Sequence, residues 1–211
     1  MTTVVKDIDG NSYETVRIGN QIWITENLKV TKYRNGDPIP NLTSSDDWTA
    51  TSKGAYCNFG NDDGNVETYG RLYNWHAVND VRGLAPDGWH IPTDEQWGEL
   101  VEYLGGAVNA GGKLKATGTT QNGDGLWSAP NSGATNESGF AALPGGCRDG
   151  DMGIYAFGGS FGLVGFFWSS TDEIFGKAPY RLSLENEAIP RVLDWNRSEV
   201  SSGLSVRCMR G

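Results

Sequence analysis

Apolar and polar positions alternate most cleanly near the N-terminus. Residues 12–26, SYETVRIGNQIWITE, are two β-rich runs around Gly19-Asn20, a two-residue hairpin signal. Ile22 and Ile24 fall on one face of the second run and Trp23 on the other. Further along, the period becomes helical. Trp97, Leu100, Val101 and Leu104 recur at i, i+3, i+4 and i+7. Thr93 and Gln96 ahead of them have capping-box spacing, and Pro92 discourages helix before the cap. Asp94 and Glu95 face the positive end of the helix dipole, and Gly105-Gly106 ends the run. Leu72, Trp75 and His76 have helical spacing as well, which predicts a short helix within 67–80.

The second half punctuates itself with glycine and is mostly β. The apolar, aromatic end of IYAFGGSFGLVGFFWSS (154–170) has the character of a buried strand. PYRLSLEN alternates Tyr180, Leu182 and Leu184 on one face. RVLDWN and GLSVRCMR read as further short strands, with Val206 and Cys208 on one side. Between the halves of this pattern, NGDPIPNLTSSDDW and CNFGNDDGNV read as surface loops.

Composition narrows the class. The chain has 211 residues, 37% apolar and 20% charged, enough for one domain with its own core. Its 30 glycines are about twice the usual share. Together with eight tryptophans, eight tyrosines and seven phenylalanines, they predict a loop-rich fold pinned by aromatics. No apolar run approaches the ~18 residues of a membrane span. The net charge of −9 repels phosphate backbones, so nucleic acid is not an expected partner. The N-terminal MTTVVKDIDG shows no signal peptide.

Candidate chemistry is sparse. GWHIPTDEQW (88–97) gathers a histidine, two carboxylates and two tryptophans, yet each polar residue in it has a helix-making task. His90 has no second histidine or cysteine nearby in sequence to build a metal site. Cys57, Cys147 and Cys208 fit no zinc spacing. They allow one disulfide with a free thiol, or three buried thiols. CNFGNDDGNV resembles a calcium loop, but aligning Gly64 on the invariant loop position puts Phe59 where the first ligand belongs. No cofactor is expected beyond a structural calcium there, and the mismatch argues for a solvated turn instead. Gly-Leu-Ser-Val at 203–206 lacks the second glycine of a nucleophile elbow.

The ordered set DIDGNSYETVRIGNQIWITENL (7–28), YGRLYNWHAV (69–78), GWHIPTDEQW (88–97), GGKLKA (111–116), NESGFAALPGG (136–146), FWSST (167–171) and GLSVRCMR (203–210) resembles the Fibrobacter succinogenes major paralogous domain family. That resemblance implies a C-type-lectin-like fold of the formylglycine-generating-enzyme branch. The expectation is a single α+β domain over 1–211 with two helices, a small twisted antiparallel sheet, long Gly-rich loops and paired terminal strands. The related oxidases bind copper through two nearby cysteines upstream of the last strand. Here no cysteine lies between Cys147 and Cys208, so their activity is not carried over. The Glu-Pro-Asn, Gln-Pro-Asp and Trp-Asn-Asp tripeptides of calcium-dependent lectins are also absent.

A third group that this fold resembles comprises the variable proteins of diversity-generating retroelements, phage receptor-binding proteins among them. They carry their ligand surface in the C-terminal stretch. In 166–211, family-like flanks enclose an interior with apolar and aromatic groups among charges, as a binding patch requires. The candidate ligand-binding residues are Ile174, Phe175, Tyr180, Glu185, Glu187, Arg191, Trp195 and Arg197. The expected function is a non-enzymatic module for a protein or glycan ligand, at a cell surface or on a virion. The alternatives are an oxidase of the formylglycine-generating kind and a structural surface or adhesin component.

Overall fold

A computed structural model describes residues 4–148, 161–171, 180–186, 192–197 and 200–211. The described elements are short antiparallel strands and short helices, an α+β arrangement. The predicted hairpin is β3 (Thr15–Ile18) and β4 (Gln21–Ile24), following β1 (Val5–Lys6) and β2 (Ser12–Tyr13), which pair with each other. Gly19 takes φ +60° at the turn, a conformation glycine adopts without penalty. At the other end of the chain, β10 (Met209–Arg210) pairs antiparallel with β4, so the N- and C-terminal segments share a sheet.

The predicted helix is α4 (Asp94–Tyr103). Its capping box is complete: Gln96 N donates to Thr93 Oγ1 at 3.2 Å, and Thr93 N donates to Gln96 Oε1 at 3.0 Å. Trp97, Leu100 and Val101 are its buried face. Other segments depart from the sequence expectations. Residues 67–80 hold two single-turn helices, α2 (Val66–Tyr69) and α3 (Trp75–Val78), around β6 (Arg71–Tyr73). Gly70, at φ +71°, ends the first turn, and Asn74 caps the second through Ala77 N at 3.0 Å. The stretches expected to be surface loops contain α1 (Ser45–Ala50), with Trp48 buried, and β5 (Tyr56–Asn58), buried throughout. A further helix, α5 (Ala107–Leu114), follows α4 directly and buries Gly111 and Gly112. Its glycine content hid it from periodicity.

β7 (Val164–Trp168), β8 (Tyr180–Glu185) and β9 (Val192–Arg197) form a three-stranded antiparallel sheet in the order β7-β8-β9. Single bridges carry the ladder further. Ser205 pairs with Phe167 and Leu204 with Tyr73, so the chain at 204–205 joins β7 to β6, and β6 pairs with β5.

Two apolar clusters lie on opposite sides of these strands. Ile24, Trp168, Val206 and Cys208 point into one, with Tyr13, Tyr73, Trp75 and Trp89. Trp23, Phe167, Leu182, Leu184 and Met209 point into the other, with Trp97, Leu100, Leu114, Trp127 and Phe140. Successive residues of one strand face opposite ways, so QIWI and FFW are apolar at nearly every position because both faces are covered. Trp23, Trp97, Trp127 and Trp168 are fully buried. Each such ring removes roughly 150–250 Å² from water, about 4–6 kcal/mol gross by area. Their indole N–H groups are not wasted. Trp168 Nε1 donates to Tyr73 O at 2.7 Å, Trp97 Nε1 to Trp168 O at 3.3 Å and Trp127 Nε1 to Ala142 O at 3.0 Å.

Candidate binding face

In β7-β8-β9, Trp168 pairs with Arg181, and Tyr180 with Arg197. The exit of β7, the entry of β8 and the exit of β9 therefore meet at one end of the sheet. The chain on either side of the 172–199 stretch is fixed there. Ser170 N donates to Pro92 O, and its Oγ to Ile91 O, both at 2.8 Å. Thr171 Oγ1 accepts Asp94 N at 2.8 Å and donates to the Asp94 carboxylate. On the return, Trp75 N donates to Val200 O at 3.0 Å, and Trp48 Nε1 donates to Ser201 O. Trp75 and Trp168 pack with ring centroids 5.5 Å apart. The motifs YGRLYNWHAV, GWHIPTDEQW, FWSST and GLSVRCMR thus meet as one frame beneath this end.

The structure brings some predicted residues together and separates others. Tyr180 and Arg197 are cross-strand neighbours, and Trp195 lies two residues earlier on β9 beside a bulge between Arg181 and Ser183. Glu185 pairs with Val164 at the opposite end of β8, about 17 Å from Tyr180 at ~3.4 Å per residue, and its side chain is exposed. Ile174, Phe175, Glu187 and Arg191 lie outside the described residues. The candidate set is therefore split between two ends of one sheet.

His90 is half-buried in this frame. Its Nε2 is 2.9 Å from Gln96 Oε1, and its backbone pairs with Met209. It orients the capping residue. A cleft of about 220 Å³ opens beside it, lined by Arg34, Val78, Gly83, Leu84 and Ser170 among others. At the resembled calcium loop, Asp62 Oδ1 accepts Gly64 N and Asp63 Oδ1 accepts Asn58 Nδ2, so both carboxylates serve turns. Among the described residues no group of three His, Cys, Asp or Glu is placed to hold a metal ion. None of the three cysteines is in a disulfide. Burial pushes Cys57 up to about 11 and Cys208 higher still, which disfavours the nucleophilic thiolate.

Three buried cations escaped the sequence reading. Arg207 is completely buried. Its Nε donates to Asn27 Oδ1 at 2.7 Å, Nη1 to Ile24 O and Phe140 O, and Nη2 to Ala141 O. The guanidinium stands 4.5 Å from the Phe140 ring centroid. Lys115 Nζ donates to Ser132 O at 3.0 Å and Glu185 O at 2.9 Å, 5.3 Å from the Trp127 centroid. Arg148 donates to the carbonyls of Leu42, Thr43 and Ser44 and stacks 4.4 Å over Trp48. Loops that pair with no strand leave carbonyls needing donors, and a long cation satisfies several at once. The signal available in sequence was a cation with apolar neighbours, as in LKA, GGCR and SVRC. Lys115 in particular ties the far end of β8 to the 127–132 loop.

No curated protein and no solved structure matches the chain. The family model described as the Fibrobacter succinogenes major domain matches residues 16–210, from the β3–β4 hairpin to β10. The match takes in every motif joined at the frame beneath β7-β8-β9, and the chain belongs to the Fibrobacter succinogenes major domain family.

Proposed function

We propose that this chain is a non-enzymatic ligand-binding module on a C-type-lectin-like scaffold, presenting its ligand surface from the end of β7-β8-β9 where Tyr180 and Arg197 pair. One observation carries the reading. The chain on both sides of 172–199 is pinned into the core, at Thr171 on α4 and at Val200 on α3. A segment held between rigid anchors is how binding loops are usually mounted. The pairing of terminal strands supports the scaffold assignment. The buried thiols support a non-enzymatic role over oxidase chemistry. On this reading the module works outside the cell or on a virion, against a protein or glycan.

The test is an array of immobilised proteins and glycans probed with the full chain. Phe175→Ala, Tyr180→Ala and Arg197→Ala are then compared with Glu185→Ala on any ligand found. Hot-spot losses of about 2 kcal/mol, near thirtyfold, are expected for the first three, with the Glu185 variant unchanged. Equal effects from both ends of the sheet would sink the assignment. A finer reading makes the segment retroelement-diversified. It requires a near-identical repeat of the DNA encoding 166–211, differing only at adenines, beside a reverse-transcriptase gene. A locus without both refutes it.

A further inference from the structure

The chain carries the tripeptide Asn-Gly-Asp twice, at 35–37 and at 122–124. An asparagine followed by glycine is chemically labile, because a glycine has no β-carbon to keep its amide nitrogen away from the asparagine side chain. Local sequence gives the two copies the same lability. Both lie in exposed turns, so solvent reaches both. Their surroundings differ.

At the first copy, the groups that would react are held. Asn35 Oδ1 accepts Asp37 N at 3.0 Å, and Asn35 Nδ2 donates to Asp37 Oδ2 at 3.0 Å. Gly36 N donates to Tyr33 O at 2.8 Å, and Tyr33 N donates to Asp37 O at 2.9 Å. The Lys32–Pro38 bridge closes the turn, and Arg82 pairs with Asp37 at 3.1 Å. At the second copy, the Asn122 carboxamide makes no hydrogen bond among the described residues. Gly123 N reaches Thr120 O only at 3.2 Å, and Asp124 N reaches Thr119 O at 3.3 Å. Residues 121–124 are all exposed. The loop is nonetheless fixed at its neck. A β-carbon at Gly118 would stand 2.3 Å from Asp124 O, and Thr120 N donates to Trp127 O at 2.8 Å. The tip can therefore rearrange without opening the core.

We propose that Asn122 is a site of spontaneous conversion to isoaspartate and aspartate, and that its turn protects Asn35 from the same change. The Gly123 amide nitrogen gives its proton to solvent base and attacks Asn122 Cγ. The new N–C bond closes a succinimide, and the side-chain nitrogen takes up a proton and leaves as ammonia. Water then opens the ring. Breaking the new bond leaves aspartate; breaking the original peptide bond leaves isoaspartate, with the chain routed through the β-carbon. Either product adds a negative charge to a chain of net charge −9. The site is independent of the 172–199 face.

The test incubates the full chain in mildly alkaline buffer made with heavy-oxygen water. Peptides are mapped over time by mass spectrometry, with fragmentation that separates isoaspartate from aspartate. Asn122 is expected to lose ammonia and gain one heavy oxygen, with isoaspartate in excess. It should convert at least about tenfold faster than Asn35, where further hydrogen bonds and an ion pair must open first. In urea, with both turns lost, the two copies should convert at the same rate. Asp37→Ala removes the acceptor of the Asn35 amide and the partner of Arg82. It should speed Asn35 by at least about threefold and leave Asn122 unchanged. Equal rates in the folded chain overturn the proposal, as does faster conversion at Asn35. An Asn122 that stays intact when folded but converts in urea overturns it too. So does the same inequality persisting in urea, or an Asn35 rate indifferent to Asp37→Ala.

Discussion

Lys115 offers a quantitative test of how buried cations hold this fold. Its side chain is 1% exposed, and burial lowers its pKa from 10.5 to about 8. At about 1.4 kcal/mol per pKa unit, keeping the ammonium charged inside the protein costs about 3 kcal/mol at pH 7. The two carbonyls it holds, Ser132 O and Glu185 O, would each cost about 1–3 kcal/mol if left without a donor. In Lys115→Met the two effects nearly offset, because the thioether stem keeps the packing on Trp127. The variant should therefore lie within about 2 kcal/mol of wild type at pH 7. The contrast appears at higher pH. Between about pH 8 and 10.5 the unfolded chain still carries the Lys115 proton and the folded chain does not. Raising pH through this window therefore favours the folded state. A neutral amine keeps two N–H donors for the two carbonyls. Urea denaturation, followed by tryptophan fluorescence from pH 7 to 10.5, should show wild type gaining up to about 3 kcal/mol on the variant. Taking the difference removes the other titrating groups. A gap that is constant to within about 0.5 kcal/mol, or that moves in the variant's favour, would refute the reasoning.

Other expectations follow from the same contacts. Arg207→Lys keeps a charge but cannot reach four acceptors with one ammonium, so it should lose about 3 kcal/mol or more in urea denaturation. Thr93→Ala removes the oxygen that accepts Gln96 N and should cost about 1 kcal/mol, read as a shifted denaturation midpoint with an unchanged slope. In the native protein at pH 8, a thiol reagent should modify half-buried Cys147 first. Cys57 and Cys208 should react only at the rate of unfolding, and fast labelling of either in the folded state would contradict their environment.

The sequence by itself determined the elements whose cause is local. The Gly19-Asn20 turn needs a residue free to take positive φ, and the alternation on either side of it declares the strands. The Thr93–Gln96 box, the acidic first turn and the Trp97–Leu104 spacing define α4 without help from any neighbour. Ordered motifs gave the family. The tertiary structure decided what depends on partners distant in sequence. Residues 67–80 have helical spacing, yet Tyr73 bonds Leu204 and the segment yields a strand there. Residues 107–114 carry two glycines, and α5 nevertheless forms, with both glycines buried. Lys115, Arg148 and Arg207 look like surface charges until the loops they hold are folded around them. The same holds for the candidate residues. Tyr180 and Glu185 are five apart in sequence, and only strand pairing places them at opposite ends of a sheet. Lys53, His76 and Asp80 are scattered over 28 positions, and only the packing of α3 against the 52–54 turn gathers them around one groove. Local propensity acts over a few residues, whereas sites are assembled by contacts between distant ones.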